Sequence, residues 1–275
     1  MTQEISRIAE IADRYDVIVF DQWGVLHDGS SPYPGAIRCI ESLAARDIAV
    51  LSNSGKRARP NAARISAMGF GENAFSTVMT SGEALWADIA ACRIAETRFF
   101  PIERAAGDAE SWAGDLEIEL TPLDGAEAVL LMGLPDGATL EDWMPVLHAA
   151  LERGLPVHCS NPDRKSPRAG GTVISPGALA FAYEAMGGQT SFYGKPHRPV
   201  FDALALALPG ASYLMVGDSL EHDIAGASDA GWDSVFVSGG LYAPLFKAAP
   251  WEAVLPKLAA EQGAPPPTYI IGEIA

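Results

Sequence analysis

Short apolar runs that stop abruptly on a polar residue constrain this chain more than any other feature. Residues 16–20 read DVIVF and are cut off by Asp21; IAVL at 48–51 ends on Ser52 and Asn53; SYLMV at 212–216 runs into Gly217 and Asp218. A strand without polar alternation must be covered on both faces, as happens in a parallel sheet flanked by crossover helices. Helical patterns at 35–45, 60–68, 199–208 and 221–230, with another near 250–260, lie between and after such runs. Pro60 near the start and Gly69 beyond the end bracket one of them. The alternation predicts an α/β fold with a Rossmann-like, mostly parallel sheet. Strand ends in such a sheet share one rim, where ligands sit, so Asp21, Ser52, Lys195 and Asp218 are expected together.

A second alternation interrupts the first. A strand at 76–79 leads to a helix through 90 that Ser81 is expected to cap. RFFPI at 98–102, AVLLMG at 128–133 and LPVHCSN at 155–161 then read as further strands. Helices are expected at 142–153, with Asp142 as cap and Pro145 in the first turn, and at 178–185. The reading is a core of residues 1–83 and 189–275 with a second α/β unit, 84–188, inserted between its halves.

Charge narrows the range of partners. With 19 Lys+Arg against 35 Asp+Glu and a formal net charge of -16, the surface field repels nucleic acid and anionic lipid alike. No apolar run reaches the ~18 residues of a membrane span. Charges at Glu4, Arg7, Glu10, Asp13 and Arg14 leave no signal-peptide segment at the N-terminus. Cys39, Cys92 and Cys159 show neither paired nor metal-ligand spacing and read as reduced thiols, so a cytoplasmic setting is expected.

Each polar stop has a structural and a chemical reading. Asp21 at a strand end is either a turn residue or a carboxylate that holds a cation or attacks phosphorus. Asp218, with Asp223 at the start of the next helix, either caps that helix or offers hard oxygen ligands to Mg²⁺. Ser52 and Asn53 are turn residues or donors to phosphate oxygens. Lys195, held between Gly194 and Pro196, is a surface lysine or a single aimed ammonium.

FDQWGV at 20–25, LSNS at 51–54, GKP at 194–196 and VGDSLEHDI at 216–224 resemble, in order and context, the four motifs of haloacid dehalogenase-like hydrolases. Ser52 and Lys195 are 195 - 52 = 143 positions apart, an insertion similar to that of the class IIA branch, which contains 4-nitrophenyl phosphatase, pyridoxal phosphate phosphatase and the N-acetylglucosamine-operon phosphatase. CSNPD at 159–163 resembles that branch too. The resemblance implies a Rossmann-like core with an inserted α/β cap. It also implies Mg²⁺-dependent hydrolysis of a small phosphorylated metabolite, and it allows a homodimer. Asp21 would be nucleophile and metal ligand, with Trp23 (through its carbonyl) and Asp218 in the metal set and Asp223 a ligand through water or a support for Asp218. Ser52 and Lys195 would hold the transferring phosphoryl group, and Asn53, Asn161 and Asp163 would lie on the substrate side.

One position departs from the pattern. Phosphatases of this superfamily carry a second Asp two residues after the nucleophile, as general acid and base; here that residue is Trp23. His27 and Asp28 follow closely and read as substitutes or as loop residues. An aromatic there resembles the metal-free 2-haloacid dehalogenases of the superfamily, but Asp218 would then be an unwanted charge beside an anionic nucleophile. A phosphate-ligand sensor that no longer turns over is the third reading.

Overall fold

The computed structural model describes residues 2–168 and 171–274. The chain opens with β1 (Gln3–Glu4), β2 (Val17–Phe20), α1 (Ala36–Ser42), β3 (Asp47–Ser52), α2 (Ala58–Ala67), β4 (Thr77–Thr80) and α3 (Ser81–Ala90). Its middle holds β5 (Arg98–Ile102), α4 (Asp108–Ala113), β6 (Glu119–Leu120), β7 (Ala128–Leu131), α5 (Leu140–Glu152), β8 (Val157–Cys159), β9 (Lys165–Arg168), β10 (Gly171–Ile174), α6 (Pro176–Ala185) and β11 (Thr190–Phe192). It closes with α7 (Arg198–Ala207), β12 (Tyr213–Gly217), α8 (Ala225–Ala230), β13 (Asp233–Val237), α9 (Ala243–Ala248), α10 (Trp251–Glu261) and β14 (Tyr269–Ile271).

Two compact units result. The first takes the chain up to Ser52, Arg59–Met79 and everything from Lys195 onward; the second takes Asn53–Ala58 and Thr80–Gly194. The divisions therefore fall at 79/80 and 194/195, several residues away from the expected 83/84 and 188/189. Side-chain bonding explains the shift at the first crossing. Thr80 Oγ1 donates to the Lys56 carbonyl, and Glu83 accepts from both the Arg57 guanidinium and the Ala58 N–H, binding the start of α3 to the segment Asn53–Ala58.

The first unit is built on a seven-stranded sheet of order β1-β14-β13-β12-β2-β3-β4. Pairings from β1 through β3 are parallel. All four residues of β2 are buried, as an unalternating apolar strand requires. Successive side chains still go to opposite faces. Ile18, Phe20, Ile48, Val50, Leu214 and Val216 join the cluster lined by α1, whereas Phe236 and Ile270 pack with Leu255 and Leu258 of α10. The second unit has its own parallel sheet, order β11-β8-β7-β5-β6, over which Leu147, Leu179 and Tyr183 are buried, and a separate antiparallel hairpin of β9 and β10.

Several local expectations are corrected. Thr80, not Ser81, caps α3, accepting the Glu83 N–H. Thr139, not Asp142, caps α5; Asp142 is the third residue of the helix and closes a capping box with Thr139, so the helix starts earlier and Pro145 lies inside it. The helix expected at 221–230 begins instead with a wide turn over Leu220–Ile224, in which the Ile224 N–H reaches back five residues to Ser219. β14, which pairs between β1 and β13, is too short to announce itself behind the prolines at 265–267. The three cysteines are free thiols, and no described helix is long and apolar enough to cross a membrane.

Candidate functional site

The centre of the first sheet sets the geometry. β2 and β12 run side by side with Val216 opposite Phe20, and the Asp21 N–H donates to the Val216 carbonyl at 2.9 Å. Where the ladder ends, Asp21 and Asp218 leave from adjacent strands at the same edge. Asp223 returns to that edge because Ser219 caps the wide turn and its N–H donates to Asp223 Oδ2 at 3.0 Å. Oxygens of Asp21, Asp218 and Asp223 all lie within 4.8 Å of one another. Lys195 Nζ donates to Asp21 Oδ1 at 2.6 Å and to Asp223 Oδ1 at 2.7 Å, while the Leu241 N–H donates to Asp218 Oδ2 at 2.7 Å.

Glycines make this crowding sterically feasible. Gly24, at φ +83, faces Asp218 so closely that a Cβ would lie 1.8 Å from Oδ2, and a Cβ at Gly217 would lie 2.2 Å from the Asp223 side chain. Gly24, three residues beyond Asp21, is the glycine expected from the sequence to let the backbone turn tightly toward a ligand, and Gly217 directly precedes Asp218.

Three carboxyl groups share one ammonium, and Lys195 is only 3% exposed. Burial raises the Asp218 carboxyl to about 8, with the charges of Asp21 and Asp223 adding to it. Burial also lifts Asp21 to about 6, partly offset by Lys195. Burial alone would lower the Lys195 ammonium, but Asp21 and Asp223 more than reverse this and hold it charged. The cluster is short of positive charge. Hard oxygens around a charge deficit suit Mg²⁺ or Ca²⁺, so the donor set fits a divalent cation.

The remaining sequence candidates divide between the units. Ser52 ends β3, next to β2 in the first sheet, and is buried. Asn53, Asn161 and Asp163 meet in the second unit: the Asn53 amide donates to Asp163 Oδ1 at 2.8 Å and the Asp163 N–H to Asn161 Oδ1 at 2.9 Å. Trp23 is 43% exposed and packs against Gly29, with the edge of the His27 ring 6.1 Å away between centroids. His27 itself is fully buried; its Nδ1 accepts the Gly29 N–H, and burial with the Arg64 charge lowers it to about 4. Asp28 is exposed and accepts the Ser31 and Ser30 N–H groups, which hold its carboxyl below the usual range. Neither residue is therefore placed as a proton donor at neutral pH, and for both the loop reading holds.

The model for haloacid dehalogenase-like hydrolases matches residues 18–101, and a second, described as HAD-hydrolase-like, matches 192–272. Human chronophin is 28% identical over 250 residues, covering 85% of this chain and 84% of that protein. D-glycerol 3-phosphate phosphatase of Mycobacterium tuberculosis is 25% identical over 254 residues, covering 89% and 67% respectively. A crystal structure of a haloacid dehalogenase-like hydrolase from Brucella suis has a TM-score of 0.82 and 29% identity, with 98% of this chain and 100% of that chain covered.

Proposed function

Since the chain belongs to the class IIA branch of the haloacid dehalogenase-like hydrolases, we propose that it hydrolyses a small phosphate monoester with Mg²⁺, through phosphorylation of Asp21. The observation that carries this reading is the meeting of Asp21, Asp218 and Asp223 around Lys195. Asp21 and Asp218, with the Trp23 carbonyl, would hold Mg²⁺, which supplies positive charge against the substrate phosphate. Asp223 has both oxygens engaged, by Lys195 and by the Ser219 N–H, and so acts as support for the lysine. Lys195 and the Ser52 hydroxyl would bind phosphoryl oxygens and reduce repulsion between the anionic nucleophile and the anionic substrate. The second unit would act as the cap that excludes water and selects the leaving group.

Three carboxyl groups at one edge weigh against the metal-free dehalogenase reading, because nothing in that chemistry offsets their charge. The test is phosphate release from a panel of phosphate esters with Mg²⁺, together with acid-quenched mass spectrometry of the protein. Release that stops on chelation, with a phosphoryl adduct on Asp21, is expected. Tight binding of esters with no release and no adduct overturns the reading in favour of a sensor.

A further inference from the structure

A second loop besides that of Gly24 reaches Asp218, and the phosphatase reading assigns it no part. It is the segment Ser238–Leu241, which follows β13. The Leu241 N–H donates to Asp218 Oδ2 at 2.7 Å, a charge-assisted bond to a carboxyl group that is only 6% exposed. The Leu241 side chain is 62% exposed, so the residue serves Asp218 through its backbone alone. The loop is tied in turn to the end of β14. Ser238 donates to the Ile271 carbonyl through its N–H at 2.9 Å and its hydroxyl at 3.1 Å, and the Gly239 N–H donates to the Gly272 carbonyl at 2.7 Å. These bonds carry the β13–β14 ladder beyond its last pair, Val237 opposite Ile271. Space is as restricted as the bonding. A Cβ at Gly239 would lie 2.5 Å from the Gly272 oxygen, and one at Gly240 would lie 2.3 Å from Asp218 Oδ2. Neither glycine has a positive φ, so close approach rather than backbone shape requires them.

A carboxyl group that serves Mg²⁺ must present its oxygen in one direction, because this ion demands near-ideal octahedral geometry. Holding Oδ2 fixes the plane of the Asp218 carboxyl group, and with it the direction of the other oxygen. We infer that Leu241 and Gly239 are positioning residues for the Mg²⁺-dependent reaction: the Leu241 N–H orients Asp218, and Gly239 places that N–H by seating the loop against the end of β14. The inference rests on the reading of Asp218 as a Mg²⁺ ligand given above. Through this loop the end of β14 acts on metal affinity from outside the carboxylate cluster.

The experiment is a calorimetric titration of Mg²⁺ into the protein without substrate, run beside thermal melting. Proline alone among residues lacks the N–H, so Leu241→Pro deletes the bond while Leu241→Ala keeps it. Leu241→Pro is expected to weaken Mg²⁺ binding about 10- to 100-fold, the scale for losing a group that orients a ligand. Leu241→Ala, a change at an exposed side chain, should stay within about twofold of wild type. Gly239→Ala presses on the Gly272 carbonyl rather than on Asp218 and should weaken Mg²⁺ in the same direction. In a phosphate-release assay it should raise the Mg²⁺ concentration needed for half-maximal rate and leave kcat at saturating Mg²⁺ near the wild-type level. Gly210→Ala presses on Val17 at the opposite end of β2 and is the control, expected to lower the melting temperature with Mg²⁺ affinity unchanged. Wild-type Mg²⁺ affinity in a folded Leu241→Pro protein overturns the inference, as does an equal loss in Leu241→Ala. If Leu241→Pro does not fold, the two glycines decide: equal effects on Mg²⁺ affinity from Gly239→Ala and Gly210→Ala overturn it. Each of these outcomes leaves the phosphatase reading in place if the wild-type protein releases phosphate with Mg²⁺. A wild-type protein that neither binds Mg²⁺ nor releases phosphate overturns both.

Discussion

The two parallel sheets finish their central strands with different chemistry. At the end of β2 and β12, three carboxyl groups and one ammonium are forced together, with glycines clearing the space that a side chain would fill. At the end of β8, Ser160 donates to the Leu131 carbonyl and Asn161 accepts the Asp163 N–H, while Asp163 accepts the Asn53 amide, so the polar groups satisfy one another. Glycines serve both edges, but at Gly177 the neighbour that approaches is the Pro162 carbonyl rather than a carboxylate. The difference teaches that a parallel sheet provides a place for chemistry without specifying it. A rim becomes a reaction site when burial and like charge are left uncompensated, and a joint when every donor has an acceptor.

The sharpest way to break this contrast is Asp21→Asn, which should lower phosphate release by on the order of 10⁴-fold or more, as loss of a covalent nucleophile does. Ser160→Ala at the other rim should leave turnover at the wild-type level; equal losses in the two variants would remove the distinction. Lys195→Met comes next, with kcat down by roughly 10² to 10³, as when one electrostatic donor is removed from a reacting centre. The variant should also unfold more readily at pH 8, since buried carboxyl groups lose their counter-charge, and thermal melting reads this directly.

A smaller effect separates the glycines. Gly24→Ala pushes on Asp218 and should weaken Mg²⁺ binding by about 10- to 100-fold in a metal titration, the scale for disturbing what orients a ligand. Gly177→Ala pushes on backbone and should cost about 1 to 3 kcal/mol of stability by denaturant unfolding, with Mg²⁺ affinity unchanged.

The smallest effect concerns two histidines, one per unit. Burial lowers His27 from 6.5 to about 4, and burial lowers His158 as well, against the pull of Glu96. In each case the unfolded chain takes up a proton that the folded chain refuses, so stability is complete above about pH 6.5 and declines as pH falls towards the folded value. His27→Phe should flatten that acid decline in the first unit, and His158→Phe in the second. Hydrogen exchange resolved along the chain reads the two separately, and an unchanged acid slope in either variant would contradict the assignment.

Much of this molecule could be read before folding was considered. Runs such as VIVF and YLMV need cover on both faces, so their identity as parallel strands, and the placement of Asp21 and Asp218 at their ends, followed from hydrophobicity alone. Order and spacing of the four polar motifs did the same for the family. Other features depend on partners distant in sequence. The pairing of β14 between β1 and β13 and the transfer of Asn53–Ala58 to the second unit rest on contacts that no local window contains. The same holds for the site. Residue types along the chain named its aspartates and its lysine, whereas only the folded packing decided that Lys195 bridges Asp21 and Asp223, that burial and neighbouring like charge raise the Asp218 carboxyl, and that His27 is sealed from solvent. Charge and burial are properties of a surrounding volume, and a sequence specifies that volume only once distant segments have been brought into it.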